Sequence, residues 1–551
     1  MHWKKSDLLF LPVGGSEEIG MNANLYHYEN KWILIDLGIS FPDETDLGVD
    51  VLLPDFEFIK SLGDDFLGIF LTHGHEDHIG AIPYFADDIN CPIWGTSFTM
   101  ALLKRKLKEN NKEKKLKLNT LTINEQLKIG PFQIKAIQTS HSIPDPVSLL
   151  ISTKEGNIFH SGDWKLEKSF NLNEKTNIEN FRSIGASGIL AMVCDSTNAL
   201  VNGKTPSENI AYDGLFDTIK DRKGTVLVTC FSSNISRIKS ILDIALKTDR
   251  TVLVVGRSIL RAIDAAKEVG FLIDIPDLLS LKDLSLIPRS NVLIISTGSQ
   301  GEPNSALSRI SKDTDKFIKL VKGDTIIFSS RKIPGNENAI LKVQNRFLER
   351  GIEIITDDDK NVHVSGHPSR DELIEMYSYI KPKISIPVHG TREHIEAHAD
   401  LASNCQVPNV IKPKYGEIIK LNAKTPNAIS KIDFTTHVFD AGEIIPINNE
   451  RFTTRRHSLW NGFVLISIVI NKDGYLVITP QISQTGVSDS NIVESVLINL
   501  SFKIEDFIEN LSFVKEMLDE ELINKISKLV RREFKLTFGK RPIVKVHVNR
   551  V

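Results

Sequence analysis

The sequence predicts an α/β fold in which a βαβ block interrupts a strand-rich domain and a small α+β domain follows. Short strands broken by turns fill the first 200 residues. From about residue 205 strands and helices alternate, as in Thr225–Phe231 followed by Ile235–Lys247, which is typical of βαβ units in a parallel sheet. Strand ends that carry histidine return after residue 350. The βαβ block is therefore most simply an insertion within one domain.

Each element follows from its residue pattern. Ala23–Tyr28 and Trp32–Asp36 flank a three-residue hairpin turn, the apolar run Leu67–Thr72 predicts a buried strand, and lysine-rich Thr99–Lys117 predicts a helix. An irregular segment with Pro, Gly and Asn, Pro426–Glu450, precedes the last strands and helices. We therefore predict a strand-rich domain in two parts, an inserted α/β domain, a linker and a C-terminal α+β domain, at residues 1–205 with 351–425, 206–350, 426–449 and 450–551.

Composition limits the class of protein. The 551 residues are 41% hydrophobic and 25% charged, and the net charge of -3 excludes a histone-like polycation but not a nucleic-acid enzyme. Four distant cysteines without a CxxC pair argue against a disulfide scaffold and fit a reducing cytoplasm. We expect a cytoplasmic protein without a membrane segment, because no signal peptide and no apolar run of about 18 residues is present.

The strongest chemical signal is the run THGHEDH at Thr72–His78, which follows an apolar strand. Imidazole and carboxylate ligands at this density suit a divalent metal such as zinc. In a loop that leaves a strand end, His73 and His75 can face one point, and Asp77 and His78 a second. A chance surface cluster is the alternative, which is improbable with 15 histidines in the chain.

Three further candidates also follow predicted strands, namely His141, Asp163 and His389. Taken alone, a histidine at a strand end is more often packed or solvated than bound to metal. Taken together with the THGHEDH run, the three complete a two-metal site. Asp163 is the natural bridge, because a carboxylate has two oxygens and can hold both ions.

The pattern HxHxDH followed by a distant His, Asp and His resembles the metallo-β-lactamase superfamily. Asp195 in CDSTN, His367 in SGHPS and His389 in PVHGTR resemble motifs A, B and C of its β-CASP nucleic-acid-processing branch. Leu11–Asn22 (LPVGGSEEIGMN) and the tail from residue 450 resemble the bacterial ribonuclease J family, over essentially the whole chain. The implied fold is a metallo-β-lactamase αββα sandwich with an inserted β-CASP α/β domain and a small α+β C-terminal domain.

The resemblance implies two zinc ions per subunit, with Mn²⁺ or Mg²⁺ as alternatives, that activate a shared water and hold a phosphodiester for in-line attack. Asp77 would also orient that water. His367 is the candidate general acid and Asp195 would orient it, although Asp195 alone could be a carboxylate that caps a turn. The implied ligand sets are His73, His75, His141 and Asp163 for one ion, and Asp77, His78, Asp163 and His389 for the other.

A pocket for the 5′ phosphate is expected where Phe231–Asn234 joins a βαβ strand to its helix, since helix N–H groups and serine hydroxyls favour an anion. Simple helix capping is the alternative. Two basic stretches, 104–117 and 528–541, are either an RNA path or solvated helix faces. The candidate pocket residues are Ser232, Ser233, Asn234, His363, Ser365, Gly366 and His367.

The implied activity is that of a metal-dependent ribonuclease in RNA maturation and decay, a 5′→3′ exonuclease that prefers 5′-monophosphate ends and also cuts internally. RNA is the implied substrate, and a homodimer or homotetramer through the C-terminal domain is the implied assembly. The alternatives are a β-CASP nuclease that acts on DNA, a small-molecule hydrolase such as a lactonase, and a non-catalytic RNA-binding scaffold. The inserted domain argues against the lactonase and the complete ligand set against the scaffold.

Overall fold

The computed structural model describes residues 3–42, 48–167, 176–273, 275–333, 335–489, 492–511 and 514–551. Two compact units are present: residues 1–41 with 51–444, and residues 42–50 with 445–551. No helix among the described residues is both long and apolar enough to cross a membrane.

The first 200 residues form mainly short strands, as predicted. The helices of this part are α1 (Glu57–Ser61), α2 (Glu76–Ile79), α3 (Ser97–Glu109) and α4 (Ile178–Ala186). The strands are β1 (Leu9–Gly14), β2 (Ala23–Tyr28), β3 (Lys31–Ile35), β4 (Leu52–Leu53), β5 (Phe66–Phe70), β6 (Ile93–Gly95), β7 (Leu118–Thr120), β8 (Gln126–Ile129), β9 (Phe132–Gln138), β10 (Val147–Ser152), β11 (Asn157–His160) and β12 (Ile189–Asp195).

The middle part of the first unit alternates strands with helices, and the later part ends in five consecutive strands. The middle part contains α5 (Glu208–Ile219), β13 (Val226–Thr229), α6 (Ile235–Lys247), β14 (Thr251–Val255), α7 (Arg257–Glu268), β15 (Val292–Ser296), α8 (Ala306–Ser311), β16 (Thr325–Phe328), α9 (Glu337–Leu348) and β17 (Glu353–Ile355). After it come α10 (Arg370–Ile380), β18 (Ile384–Val388), α11 (Arg392–Asn404), β19 (Asn409–Val410), β20 (Glu417–Lys420), β21 (Asn427–Lys431), β22 (His437–Asp440) and β23 (Glu443–Pro446).

Two sheets of the first unit pack face to face. Within the described residues their strand orders are β21-β20-β1-β2-β3-β5-β6-β7 and β19-β18-β12-β11-β10-β9-β8. Inward residues such as Phe10 and Phe70 of one sheet and Phe132 and Leu149 of the other share one buried cluster. Helix α3 packs on the outer face of the first sheet, and α4, α10 and α11 pack on that of the second. The predicted αββα sandwich is confirmed.

The inserted block is a parallel sheet with the order β14-β15-β13-β16-β17. Its strands are continuous aliphatic runs such as VLIIS and TIIF, because helices cover both faces. Helices α6 and α7 pack on one face, and α8 and α9 on the other. After the block, β18 pairs in parallel with β12, so the chain on both sides of the insertion completes one sheet. The exact boundaries 205/206 and 350/351 stay predictions.

Two local predictions are wrong. The helix expected over Thr99–Lys117 ends at Glu109, because Asn110 caps it and Asn111 takes a left-handed φ of 56°. The segment expected to be irregular, Pro426–Glu450, contains β21, β22 and β23. Its short strands lack a clear apolar alternation, which is the signal on which a sequence-based strand prediction depends.

The second unit is a three-stranded sheet covered on one face by two helices. Its elements are α12 (Glu450–Asn461), β24 (Phe463–Ile470), β25 (Leu476–Thr485), α13 (Val493–Glu509), α14 (Asp519–Phe538) and β26 (Ile543–Arg550). The strand order is β25-β24-β26, with β26 parallel to β24. Leu522, Ile526, Val530 and Phe534 recur every fourth residue along α14 and pack against the sheet. This unit confirms the predicted α+β domain.

Candidate metal centre

The predicted ligands meet at one edge of the sandwich, where β5, β11, β12 and β18 end. His75 stands directly before the short helix α2, which carries Asp77 and His78. The backbone of residues 37–39 holds this segment, since the Leu37 amide donates to the His78 carbonyl at 2.7 Å. A Cβ on Gly38 would lie 1.7 Å from the Asp77 carbonyl oxygen, so only glycine allows this approach.

Three histidines and a carboxylate form the first group. The distance between His73 Nε2 and His75 Nδ1 is 3.0 Å, and that between His141 Nε2 and His75 Nδ1 is 3.1 Å. Asp163 Oδ2 lies 3.7 Å from His73 Nε2 and 3.6 Å from His141 Nε2. One ligand atom from each residue lies within 4.8 Å of all the others, which is compact enough to hold one ion.

A second group shares Asp163. His78 Nε2 lies 3.3 Å from Asp163 Oδ2 and 3.6 Å from Asp77 Oδ2. His389 Nε2 lies 3.6 Å from the same Asp77 oxygen. Asn22, whose amide nitrogen contacts both His78 and His389, lines this side of the site. The structure therefore brings together all seven residues that the sequence predicted as ligands.

The outer hydrogen bonds of two rings fix which nitrogen faces inward. His141 Nδ1 donates to the Gly366 carbonyl at 2.8 Å, and His78 Nδ1 donates to Asp36 Oδ2 at 2.8 Å. In the neutral ring each Nε2 then carries the lone pair and faces Asp163 Oδ2. A lone pair and a carboxylate oxygen repel each other unless a proton or a metal cation lies between them, so the donor set fits bound metal.

The pKa values agree with this reading. Burial lowers the pKa of the His75 imidazole to about 4 and holds the pKa values of His73 and His141 well below the usual range, so these rings stay neutral ligands. Burial also lowers the pKa of His78, but the neighbouring carboxylates, Asp163 first, raise it well above the usual range. Positive charge is therefore favoured beside Asp163, whether it comes from a proton or a metal.

Asp195 and His367 form a third group with Asp163. Asp195 Oδ2 accepts from His367 Nδ1 at 2.8 Å, and its Oδ1 accepts from the Thr197 amide and hydroxyl at 2.8 and 2.7 Å. Burial lowers the pKa of His367, but Asp195 and then Asp163 raise it, to about 9. His367 is partly exposed, so a protonated imidazole faces the open side of the metal centre.

The predicted phosphate-pocket residues of the insertion divide into two kinds. The Asn234 side chain accepts from the Arg237 amide at 2.9 Å and caps α6, which is the alternative that the sequence left open. Ser232 and Ser233 precede it in the loop after β13 and are partly exposed. Their hydroxyls have no hydrogen bond to a described residue. The cap occupies only Asn234 Oδ1, so the Asn234 Nδ2 group and the two serine hydroxyls are the side-chain donors available to an anion.

The opposite residues mainly support other groups. The Gly366 carbonyl accepts the hydrogen bond from His141 Nδ1, and a Cβ on Gly366 would lie 2.6 Å from that nitrogen. Ser365 Oγ accepts from the Asn198 amide at 2.9 Å and from the His367 amide at 3.2 Å. Burial lowers the pKa of His363 well below the usual range, so this imidazole is neutral.

Sequence reasoning missed several supporting residues. Asp36 is buried, has a left-handed φ of 61° and also accepts from the Thr72 amide and hydroxyl, both at 2.8 Å. The feature of the sequence that could have identified Asp36 is its position as a carboxylate at the end of the apolar strand β3. Arg331 donates to Asn198 Oδ1 at 2.8 Å and so holds the residue that contacts the His367 carbonyl. No sequence spacing connects Asn22 to His78 and His389, or Arg331 to Asn198, and these contacts form only in the fold.

Half of the basic side chains of the first stretch pair with acidic ones. Arg105 pairs with Glu268 at 2.7 Å, and Lys106 pairs with Glu76 of the THGHEDH run. Asp87 pairs with Lys115 at 3.0 Å and also with Lys112. The structure thus favours a structural role for these four cations, whereas the other four are exposed and form no ion pair with a described residue, namely Lys104, Lys108, Lys114 and Lys117.

Comparison with known proteins gives three family matches and many relatives. The matching families are described as "Metallo-beta-lactamase superfamily" for residues 20–174, "Ribonuclease J, beta-CASP domain" for 223–347 and "Zn-dependent metallo-hydrolase RNA specificity domain" for 351–413. A ribonuclease J of Sinorhizobium meliloti is 36% identical over 99% of this chain and 98% of its own length. The ribonuclease J of Synechocystis is 32% identical over 96% and 84%, and that of Mycolicibacterium smegmatis 35% over 84% and 83%.

Solved structures also match in fold. One of them is a protein of unknown function from Enterococcus faecalis, with a TM-score of 0.55 and 17% identity, and it covers 76% of this chain and 100% of its own.

Proposed function

The chain belongs to the ribonuclease J family and is a metal-dependent ribonuclease; from this premise we propose that it removes nucleotides from the 5′ end of RNA. In the proposed reaction it works in the 5′→3′ direction, prefers a 5′ monophosphate and also cuts internally. The observation that carries the proposal is the convergence of six His and Asp side chains on Asp163, with the Asp195–His367 pair beside them.

The protein groups have distinct roles in the proposed hydrolysis. Bound metal would supply Lewis acidity and lower the pKa of the attacking water. Asp77 orients that water toward the phosphorus, and the bond between phosphorus and the 3′ oxygen breaks. His367 donates its proton to the departing 3′ oxygen, and Asp195 keeps the imidazole protonated and oriented. The products are a 5′ nucleotide and a chain with a new 5′ phosphate.

The proposed assignment of ligands follows the two groups around Asp163. We propose two zinc ions per chain, one on His73, His75, His141 and Asp163, and one on Asp77, His78, Asp163 and His389. His and Asp donors without cysteine are also compatible with Mn²⁺.

The proposed 5′-phosphate pocket is formed by Ser232 and Ser233, with His363, Ser365 and Gly366 on the opposite side. Asn234 caps α6 through Oδ1, which shapes the loop and leaves its Nδ2 group to contact the phosphate. We further propose a homodimer or homotetramer that assembles through the C-terminal domain and works in the cytoplasm.

The test uses a 5′-labelled RNA with a 5′ monophosphate and purified protein. We expect labelled mononucleotide as the first product, a weaker reaction on the 5′-hydroxyl form, and little cleavage of single-stranded DNA with the same sequence. Labelled oligomers alone would exclude exonuclease action, and equal cleavage of DNA would exclude RNA selectivity. The control is His75→Ala, which should be inactive.

A further inference from the structure

The second basic stretch differs from the first in having few acidic neighbours. Residues 522–551 contain nine Lys or Arg side chains and one acidic side chain, Glu533, whereas the whole chain has a net charge of -3. Glu533 is itself paired with Lys503 at 2.5 Å. The last 30 residues of the second unit therefore carry a strong net positive charge, although the whole chain is slightly negative.

Four of these cations form one stripe on α14. Lys528, Arg531, Arg532 and Lys535 are spaced by three and four residues, so they lie on one face of the helix, opposite the buried face of Val530 and its neighbours. All four are exposed, and none forms an ion pair with a described residue. The stripe is about 10 Å long at 1.5 Å per residue, a length over which a nucleic-acid strand presents two or three phosphates.

An exposed aromatic ring lies close to the basic residues Lys540 and Arg541, which follow α14. Trp460, near the end of α12, is 72% exposed, although tryptophan is usually largely buried. The next residue, Asn461, accepts a hydrogen bond from the Arg541 amide at 2.9 Å, and the Gly462 carbonyl accepts from the Ile543 amide at 3.0 Å. Trp460 is therefore beside the basic segment that follows α14.

We propose that the basic stripe of α14 and Trp460 form a second RNA-contact surface, separate from the metal centre, that holds single-stranded RNA. The cations would neutralise phosphates, and the indole would stack on a base. This inference rests on the proposed function, which supplies RNA as the polymer. An acidic protein segment would satisfy the four cations but offers no base for an exposed indole to stack on, so RNA is the favoured partner.

The test measures binding of a fluorescent 30-nucleotide oligo-U by anisotropy over a KCl series, with EDTA present to prevent cleavage. In the variant K528Q/R531Q/R532Q/K535Q we expect Kd to rise about tenfold or more at low salt. The slope of log K against log salt should become shallower by about 1.5 to 2, since each of the two or three phosphate contacts contributes roughly 0.7 for a single strand. The control K267Q/K282Q/K316Q/K322Q removes the same charge from exposed lysines elsewhere and should keep the wild-type slope.

A second pair of variants tests the ring. Trp460→Ala should weaken oligo-U binding about fivefold or more without changing the salt slope, and Trp460→Phe should restore most of the affinity. In cleavage of a 30-nucleotide RNA, the stripe variant should raise KM and leave kcat unchanged.

Two results would overturn the inference: equal salt slopes for wild type and the stripe variant, or binding of poly-glutamate of matched length as tightly as RNA, which would indicate an acidic protein partner. Because binding is measured in EDTA, it is independent of cleavage. If the protein releases no mononucleotide but the stripe variant still shows the expected shallower salt slope, the result contradicts the proposed function and not this surface.

Discussion

The candidate metal centre and the candidate phosphate pocket were both predicted from short motifs, yet they use their polar atoms differently. Around Asp163, His78 and His141 turn their inner nitrogens toward the carboxylate, because their outer nitrogens are bound to Asp36 and Gly366. In the pocket, Asn234 is engaged in a helix cap and Gly366 in support of His141. Short motifs therefore predicted correctly which side chains lie together around Asp163, whereas some residues predicted for the pocket already use a polar atom in a structural hydrogen bond.

The largest expected effect comes from the carboxylate shared by both metal groups. Asp163→Asn should lower the cleavage rate by roughly 10⁴-fold or more, because a neutral amide cannot hold two cations against the converging imidazoles. Single-turnover cleavage of 5′-monophosphate RNA measures this. If the variant folds normally and keeps more than a tenth of the activity, Asp163 is not the shared carboxylate of both metal groups, and the contrast drawn between the metal centre and the pocket is wrong.

The next effect concerns the proton donor. His367→Ala should lower kcat by about 10²- to 10⁴-fold, as is usual for a general acid. A general acid must be protonated, so wild-type kcat should fall as pH rises through the pKa of about 9. Asp195→Asn removes the charge that raises this pKa and should move the alkaline limb to lower pH. An unchanged alkaline limb in Asp195→Asn would contradict the assignment.

A smaller effect is expected from the outer carboxylate of the metal centre. Asp36→Asn keeps the size of the side chain but removes the charge that fixes the tautomer of His78. Metal affinity, measured by competition with a chelator, should fall about 10- to 100-fold. Metal affinity equal to that of wild type would show that Asp36 serves only the local backbone at Thr72.

The smallest effects separate the two kinds of pocket residue. Asn234→Ala should lower the free energy of unfolding by about 1 kcal/mol through loss of the helix cap. Ser233→Ala should leave stability unchanged and reduce the preference for a 5′ monophosphate over a 5′ hydroxyl. Denaturant unfolding measures stability, and a pair of RNA substrates with a 5′ monophosphate or a 5′ hydroxyl measures the preference. Loss of stability in Ser233→Ala together with a changed preference in Asn234→Ala alone would contradict these roles.

Much of the fold could be predicted because its signals are local. The apolar strand before His73 and the aliphatic runs of the insertion have the periodicity that buried strands require. The end of α3 could not be predicted from the sequence, because the lysines after Asn111 continue a helix-like composition although Asn111 itself takes a left-handed conformation. Two of those lysines, Lys112 and Lys115, pair with Asp87, which is distant in sequence and adjacent only after folding.

The same limit applies to the site. His73, His75, Asp77 and His78 share one loop, so their spacing alone predicts a metal. Asn22 and Arg331 reach the site from separate segments, and no spacing relates them to a histidine. Sequence therefore predicts which residues have suitable ligand atoms, whereas the structure shows which of those atoms remain available.

The assignment of two metal ions to each chain is tested most directly by counting the ions per chain. Inductively coupled plasma mass spectrometry after exhaustive dialysis gives this count. Wild type should hold two ions. His75→Ala and His78→Ala should each hold one, because each variant loses a ligand of one group and keeps the other group with Asp163. A wild-type chain without metal, or His75→Ala with an unchanged count of two, would contradict the two-metal assignment.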